Sequence, residues 1–295
     1  MNCSSRILAA AVLLGAAMPA FAISAQFEFD CYKLIDANGN AAYVSEIIAP
    51  NVNAAAALTG LSLAGYSIHT PAMADGVYAD MPLAGAQRQY QTGPTNWDGL
   101  ASTAAGAYQI KWDFNYAPNT AMNWSTYTDF TVSSMDSTTF LAASPISLPT
   151  SGQVFDIPNP TFQWTAPTDV SRATRMVVQA LVNPDAGGEG FAAVASATHI
   201  GAVDIPWDAN SWRPGAMPNG AGSFAVNYSL TLGAAQVIST PVVTYSKPAH
   251  VSSLNPVWAV SDPQFVTTTY ANFTITPEPA TLALLAAGLL LGRRR

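Results

Sequence analysis

Between Ala104 and Tyr116 the chain reads AAGAYQIKWDFNY, with Tyr108, Ile110, Trp112 and Phe114 at every second position and Gln109, Lys111, Asp113 and Asn115 between them. A period of two does not suit a helix, whose neighbours on one face are three and four apart; it suits a strand with one face buried. Such a strand cannot stand alone, because its backbone N–H and C=O groups need partners on both sides. Similar runs, rich in Val, Ile, Thr, Tyr, Phe and Trp and punctuated by Pro, Gly, Asn and Asp, recur from Ile23 to Thr276 and predict an all-β chain. WSTYTDFTVSSM, Trp124 to Met135, alternates through Tyr127, Phe130 and Val132 with one break, read as a bulge. CYKLIDANGNAAYVSEII places Asn38-Gly39 between two alternating arms, a hairpin turn in which both residues tolerate positive φ. Only VNAAAALTGLSLAG, Val52 to Gly65, has helical character, and a short helix is predicted there.

Charged residues are only 10% of the chain. Sparse charge among many small polar residues fits a secreted β-protein whose surface is hydroxyl and amide. All 18 acidic residues except Glu278 fall between Ile23 and Thr276, whereas Arg6 and Arg293–Arg295 lie outside it, which leaves this body a net charge of −10. That balance excludes nucleic acid and an anionic membrane surface as partners. The body keeps a single cysteine, Cys31, so no disulfide can form within it. Its place in the alternation of FEFDCYKLID predicts a small buried strand residue.

Prolines 145, 149, 158, 160 and 167 crowd the stretch from Leu141 to Pro167 and place a division there, giving β-rich residues 23–141 and a second unit, 142–276. The second unit opens with PISLP, then TFQWT, then TRMVVQALV. This order resembles the start of fibronectin type III and related immunoglobulin-like modules. The resemblance implies a β-sandwich with Trp164 between two sheets, alongside Val177 and Leu181. The predicted class is therefore all-β, one or two antiparallel β-sandwich units, flanked by an N-terminal signal peptide and a short C-terminal apolar helix.

The signal peptide is read over residues 1–22: Arg6, an apolar run from Ile7 to Met18, and Ala20-Phe21-Ala22 as the cleavage site after Ala22. The opposite end is TPEPATLALLAAGLLLGRRR. Its uncharged run, Ala280 to Gly292, makes a helix of roughly 20 Å against a hydrocarbon core of about 30 Å. Arg293, Arg294 and Arg295 would hold that end on the cytoplasmic side, and Pro277 and Pro279 keep the preceding peptide extended. Together the two ends resemble the PEP-CTERM class of exported bacterial proteins. The resemblance implies that residues 277–295 are a sorting signal and a transient membrane anchor, with Pro277, Glu278, Pro279 and the three arginines read by an exosortase-type enzyme. It also implies a destination at the cell surface or in an exopolysaccharide matrix.

Catalytic and metal signals are scarce. His69, His199 and His250 stand far apart with no second ligand at useful spacing, so neither a metal nor a cofactor is expected. GLSLAG at Gly60 has Ala64 where a nucleophile elbow needs glycine. DANGN, Asp36 to Asn40, would be a calcium loop only with glycine at Ala41 and a glutamate at Ile47, and a hairpin turn is the reading. Asp185 and Glu189 in NPDAGGEGF are a carboxylate pair in a glycine-rich loop. DIPWDANSWRPGAMPNG gathers Asp204, Trp207, Asp208, Trp212 and Arg213, side chains that can stack on and hydrogen-bond sugar rings, or whose indoles can plug one end of a sandwich; NWDG at Asn96 is a weaker stretch of that type. The expected function is a non-catalytic exported surface or extracellular-matrix protein, structural or adhesive in an exopolysaccharide layer. The rivals are a carbohydrate-binding module using Trp207 and Trp212, and an extracellular hydrolase.

Overall fold

The alternating stretch forms a strand over Gly106–Tyr116 whose side chains at 108, 110, 112 and 114 are all buried. The computed structural model describes residues 22–50, 61–84, 87–183, 198–204, 209–239, 242–245 and 255–276. Its strands begin with β1 (Ala22–Ile35), β2 (Ala41–Pro50), β3 (Leu61–His69), β4 (Ala79–Asp80), β5 (Leu83–Ala84) and β6 (Gln87–Gln91). After helix α1 (Trp97–Ala104) come β7 (Gly106–Tyr116), β8 (Trp124–Val132), β9 (Ile146–Leu148), β10 (Gln153–Phe155), β11 (Phe162–Trp164) and β12 (Arg175–Asn183). The remainder are β13 (Thr198–Asp204), β14 (Ser211–Trp212), β15 (Gly220–Thr231), the single turn α2 (Ala234–Val237), β16 (Val242–Tyr245), β17 (Asn255–Val260) and β18 (Gln264–Ile275). The all-β class is thus as expected.

Among the described residues three sheets result. The largest runs β13-β12-β15-β18-β1-β2-β6-β5, with β10 beside β18 and β17 beside β1. It is antiparallel except where β1 runs parallel to β17 and β18, and β10 parallel to β18. A five-stranded sheet, β16-β8-β7-β3-β4, and a three-stranded one, β14-β11-β9, complete the set.

Register shows how they stack. Cys31 lies opposite Phe265, and Phe224 opposite Ala271, so Phe27, Phe29, Phe224, Phe265 and Phe273 share one face of the large sheet. Both smaller sheets pack on that face. Phe27 meets Phe130 of β8 at 4.7 Å between ring centroids, and Phe29 meets Tyr108 of β7 at 6.3 Å. Farther along, Phe162 of β11 stacks on Phe224 at 4.3 Å. Strands from both sides of the expected division at residue 141 share the large sheet, and the aromatic core runs across it without a break.

Local expectations fare unevenly. The β1–β2 hairpin forms, but Gly39 alone has positive φ (84°) and Asn38 does not. Gly39 N–H donates to Asp36 O and Asp36 N–H to Asn40 O, both at 3.0 Å. This is a three-residue loop with a glycine bulge in place of a two-residue turn. The Asp36 carboxylate is consumed there, accepting from Asn38 N, Asn40 N and Asn40 Nδ2 at 2.8–2.9 Å, which fits the hairpin and not a calcium loop.

β8 has no bulge: it pairs with β7 without interruption from Gly106↔Val132 to Phe114↔Trp124. Its buried face is Thr126, Thr128, Phe130 and Val132, with Tyr127 on the other side. Thr128 is tolerated because its Oγ1 accepts from Trp112 Nε1 at 2.9 Å. The register shift falls in β3, between Leu63 and Gly65.

The predicted helix over 52–65 is overturned for Leu61–Gly65, which belong to β3, while residues 52–60 lie outside the described set. Pairing with β7 along its length outweighs the weak helix preference of this stretch. NWDG is a helix start: Asn96 Oδ1 accepts from Gly99 N at 2.8 Å, and Trp97 packs edge-on against Tyr43. Cys31 is wholly buried, with its Sγ 3.9 Å from Met135 Sδ.

Candidate functional site

The residues singled out from sequence are dispersed. Asp204 ends β13 in the large sheet, whereas Trp212 belongs to β14 in the three-stranded one. The Trp212 indole is half-buried, with ring centroids 6.0 Å from Phe162 and 6.2 Å from Phe224. It therefore extends the core instead of standing clear as a sugar platform. Arg213 is exposed and its Nε donates to Asn159 O at 3.0 Å. Trp207 and Asp208 lie outside the described residues, as do Asp185, Glu189, Ala20, Pro277, Glu278, Pro279 and Arg293–Arg295. Ala22 opens β1, with Asn255 as its register partner.

Trp164 and Leu181 are each 3% exposed, and Trp164 lies 5.8 Å from Phe224. Val177 is only half-buried. β12 directs Met176, Val178 and Ala180 at the core, and positions 177 and 181 fall on the opposite face, so Leu181 is buried there and not beside Trp164.

A site not read from the sequence lies on the outer face of the five-stranded sheet. Register sets His69 opposite Gln109 and Gln109 opposite Asp129, so three polar side chains from β3, β7 and β8 form a row. The turn-rich segment after β3 returns over this row and delivers Tyr78. The Tyr78 hydroxyl donates to Gln109 Oε1, and Gln109 Nε2 donates to Asp129 Oδ1 at 2.6 Å. The glutamine is thereby fixed in orientation, because its oxygen faces a donor and its nitrogen an acceptor.

His69 Nδ1 lies 2.8 Å from the carbonyl oxygen of Val77. A carbonyl only accepts, so Nδ1 carries the proton and, in the neutral ring, Nε2 is an acceptor. Partial burial, and after it the neighbouring Tyr127, push the Tyr78 phenol up; Lys111 acts in the opposite direction. Tyr78 is thus a neutral donor at ordinary pH.

Around this row is an open cleft of about 510 Å³, lined by His69, Asp75, Tyr78, Gln109, Asp129 and Ser239 among others. That volume is in the range of roughly 300–1,000 Å³ common to small-ligand sites. Lys111 bridges to Asp113 at 3.2 Å on the same face.

A second electrostatic feature lies on the opposite face of the large sheet. Asp30 of β1 and Glu46 of β2 are direct cross-strand neighbours, 7% and 5% exposed. Tyr32 OH donates to Glu46 Oε2 at 3.0 Å, and Gln264 N donates to Asp30 Oδ1 at 3.1 Å. Burial raises the Asp30 carboxyl from 3.8 to about 6, with further upward pushes from Glu28 and Glu46 against the lowering by Gln264. Burial also raises Glu46. One side of this pair holds a proton into the mildly acidic range.

Among the described residues no three His, Cys, Asp or Glu side chains converge as a metal site. Nor is any helix among them long and apolar enough to cross a membrane. The chain matches no protein-family model and no curated protein.

Proposed function

We propose that this chain is a non-catalytic protein exported to the cell surface or extracellular matrix, with a structural or adhesive role in an exopolysaccharide layer. The observation that carries the reading is the C-terminal order Pro277-Glu278-Pro279, apolar run, Arg293–Arg295, placed after an all-β body poor in charge. An exosortase-type enzyme would read those residues and remove a segment too short for a lasting span. A wide sheet covered by two smaller ones and filled with aromatic rings is a rigid body suited to such a layer.

The mass of the C-terminus in protein recovered from the native cell, with and without its processing enzyme, tests this. Enzyme-dependent cleavage between Pro277 and Ala280 is the expected result. Membrane-bound protein that still ends at Arg295 would overturn the sorting route.

Carbohydrate binding is a second reading, and the polar cleft beside Tyr78 favours it over the Trp212 surface, whose indole is engaged in the core.

A further inference from the structure

We infer that the cleft over His69, Tyr78, Gln109 and Asp129 binds a neutral sugar unit of a polysaccharide. The inference rests on the matrix reading for its choice of polymer and on the cleft for its chemistry. Three properties of the lining select the ligand. First, the lining is rich in acceptor groups: the carboxylates of Asp75 and Asp129, the latter already accepting from Gln109 at Oδ1, and the unprotonated Nε2 of the neutral His69 ring. A polyol, whose hydroxyls each donate, satisfies such a set, and an anion does not.

Second, Lys111 lies close enough to bear on Tyr78 and pairs with Asp113 on the same face. Its charge is spent on Asp113, so the Asp75 and Asp129 carboxylates of the lining stand against an anionic ligand. Among the described residues no three His, Cys, Asp or Glu side chains converge there to hold a metal cation.

Third, rings border the polar row: Tyr78 lies 5.8 Å from His69 and 6.5 Å from Tyr127 between centroids. Aromatic faces beside directed polar groups take the C–H face of a pyranose while its edge makes the hydrogen bonds. The Tyr78–Gln109–Asp129 chain holds Tyr78 in place before any ligand arrives, which lowers the ordering cost of binding. The cleft is also open, so a polymer can pass through it without presenting an end.

The test is affinity electrophoresis of the full chain in gels containing dextran, galactomannan, the neutral fraction of the producing cell's own exopolysaccharide, or anionic alginate. Retardation is expected in at least one neutral gel and not in alginate. Tyr78→Ala and Asp75→Asn should each weaken it about tenfold. Asp75 is exposed and Tyr78 partly so, and circular dichroism of both variants should match the parent. Tyr78→Phe, which keeps the ring and loses the hydroxyl, should retain more binding than Tyr78→Ala. No retardation in any neutral gel, equal retardation in alginate, or retardation untouched by the variants would overturn the inference. The C-terminal mass measurement is independent of all these outcomes. A processed chain without a gel shift removes the cleft and leaves the sorting route; a gel shift with an unprocessed tail does the reverse.

Discussion

Two carboxyls facing each other across β1 and β2 make a pH-dependent contribution to the stability of this protein. Asp30 holds its proton up to about pH 6, against 3.8 in an unfolded chain. At this group the native state therefore binds more protons than the unfolded state between those values, and the contribution of Asp30 to stability falls as pH rises from about 4 through about 6, then levels off. Asp30→Asn keeps an oxygen for the Gln264 N–H and removes the charge. Urea denaturation should show the variant more stable than the parent at pH 7.5, by on the order of 2–3 kcal/mol, with the gain gone near pH 4. A variant less stable at pH 7.5 would mean that the ionised Asp30 is favourable where it sits. Trp212 makes a second expectation at this scale. Its stacking on Phe162 and Phe224 marks it as packing, so Trp212→Ala should lower stability by roughly 2–4 kcal/mol while leaving retardation in neutral polysaccharide gels unchanged. Loss of retardation without loss of stability would return the sugar site to this tryptophan.

Among elements, a glycine of the β1–β2 hairpin loop and one within strand β15 should respond differently to the same methyl group. A Cβ at Gly39 would meet nothing within 4 Å, and only its φ of 84° opposes alanine, so Gly39→Ala should cost about 1 kcal/mol. At Gly222 in β15 a Cβ would lie 2.6 Å from Leu181 O and 2.7 Å from the Phe273 ring. The backbone of β12 cannot yield without breaking its ladder, so Gly222→Ala should cost more, on the order of 2–4 kcal/mol, and thermal melts of the two variants would rank them. The same contrast explains what could be read from the sequence. β7 is legible because Tyr108, Ile110, Trp112 and Phe114 are unmistakably apolar, whereas β8 suggests a bulge because its core face includes Thr126 and Thr128, polar by type and buried by partnership. Leu61–Gly65 appeared helical because alanines precede them, and long-range pairing with β7 decided otherwise. The cleft was illegible for a related reason. Gln109 and Asp129 occupy the ordinary polar positions of two amphipathic strands, and only the register that sets them side by side beneath Tyr78 makes them a row.

For the whole molecule the decisive contact is between the ends of the body. β1 takes β18 as its parallel neighbour from Asp30↔Gln264 to Ile35↔Thr269, with β2 on its other edge. No local pattern predicts such a pairing, because strand periodicity specifies faces and says nothing of distant partners. Its consequence bears on the division at residue 141. Were 142–276 an independent unit, it would fold with β18 unpaired on one side from Gln264 to Thr269 and without Phe140, which lies on the far side of the division and packs against the Phe265 ring at 5.5 Å. The reverse piece, 23–141, would lose the strand beside β1, and the buried Cys31 and Phe29 would lose the neighbours that β18 supplies. Unpaired edges and opened apolar faces of this extent are not sustained by small β-units in water. The full chain should therefore unfold in one transition, with tryptophan fluorescence and far-ultraviolet dichroism coincident, and neither fragment expressed alone should unfold cooperatively. Mixing the two fragments should restore the transition if β1 and β18 find each other. A cooperative melt from isolated 142–276 would show instead that the fibronectin-like half is autonomous and that the shared sheet is an interface between two domains.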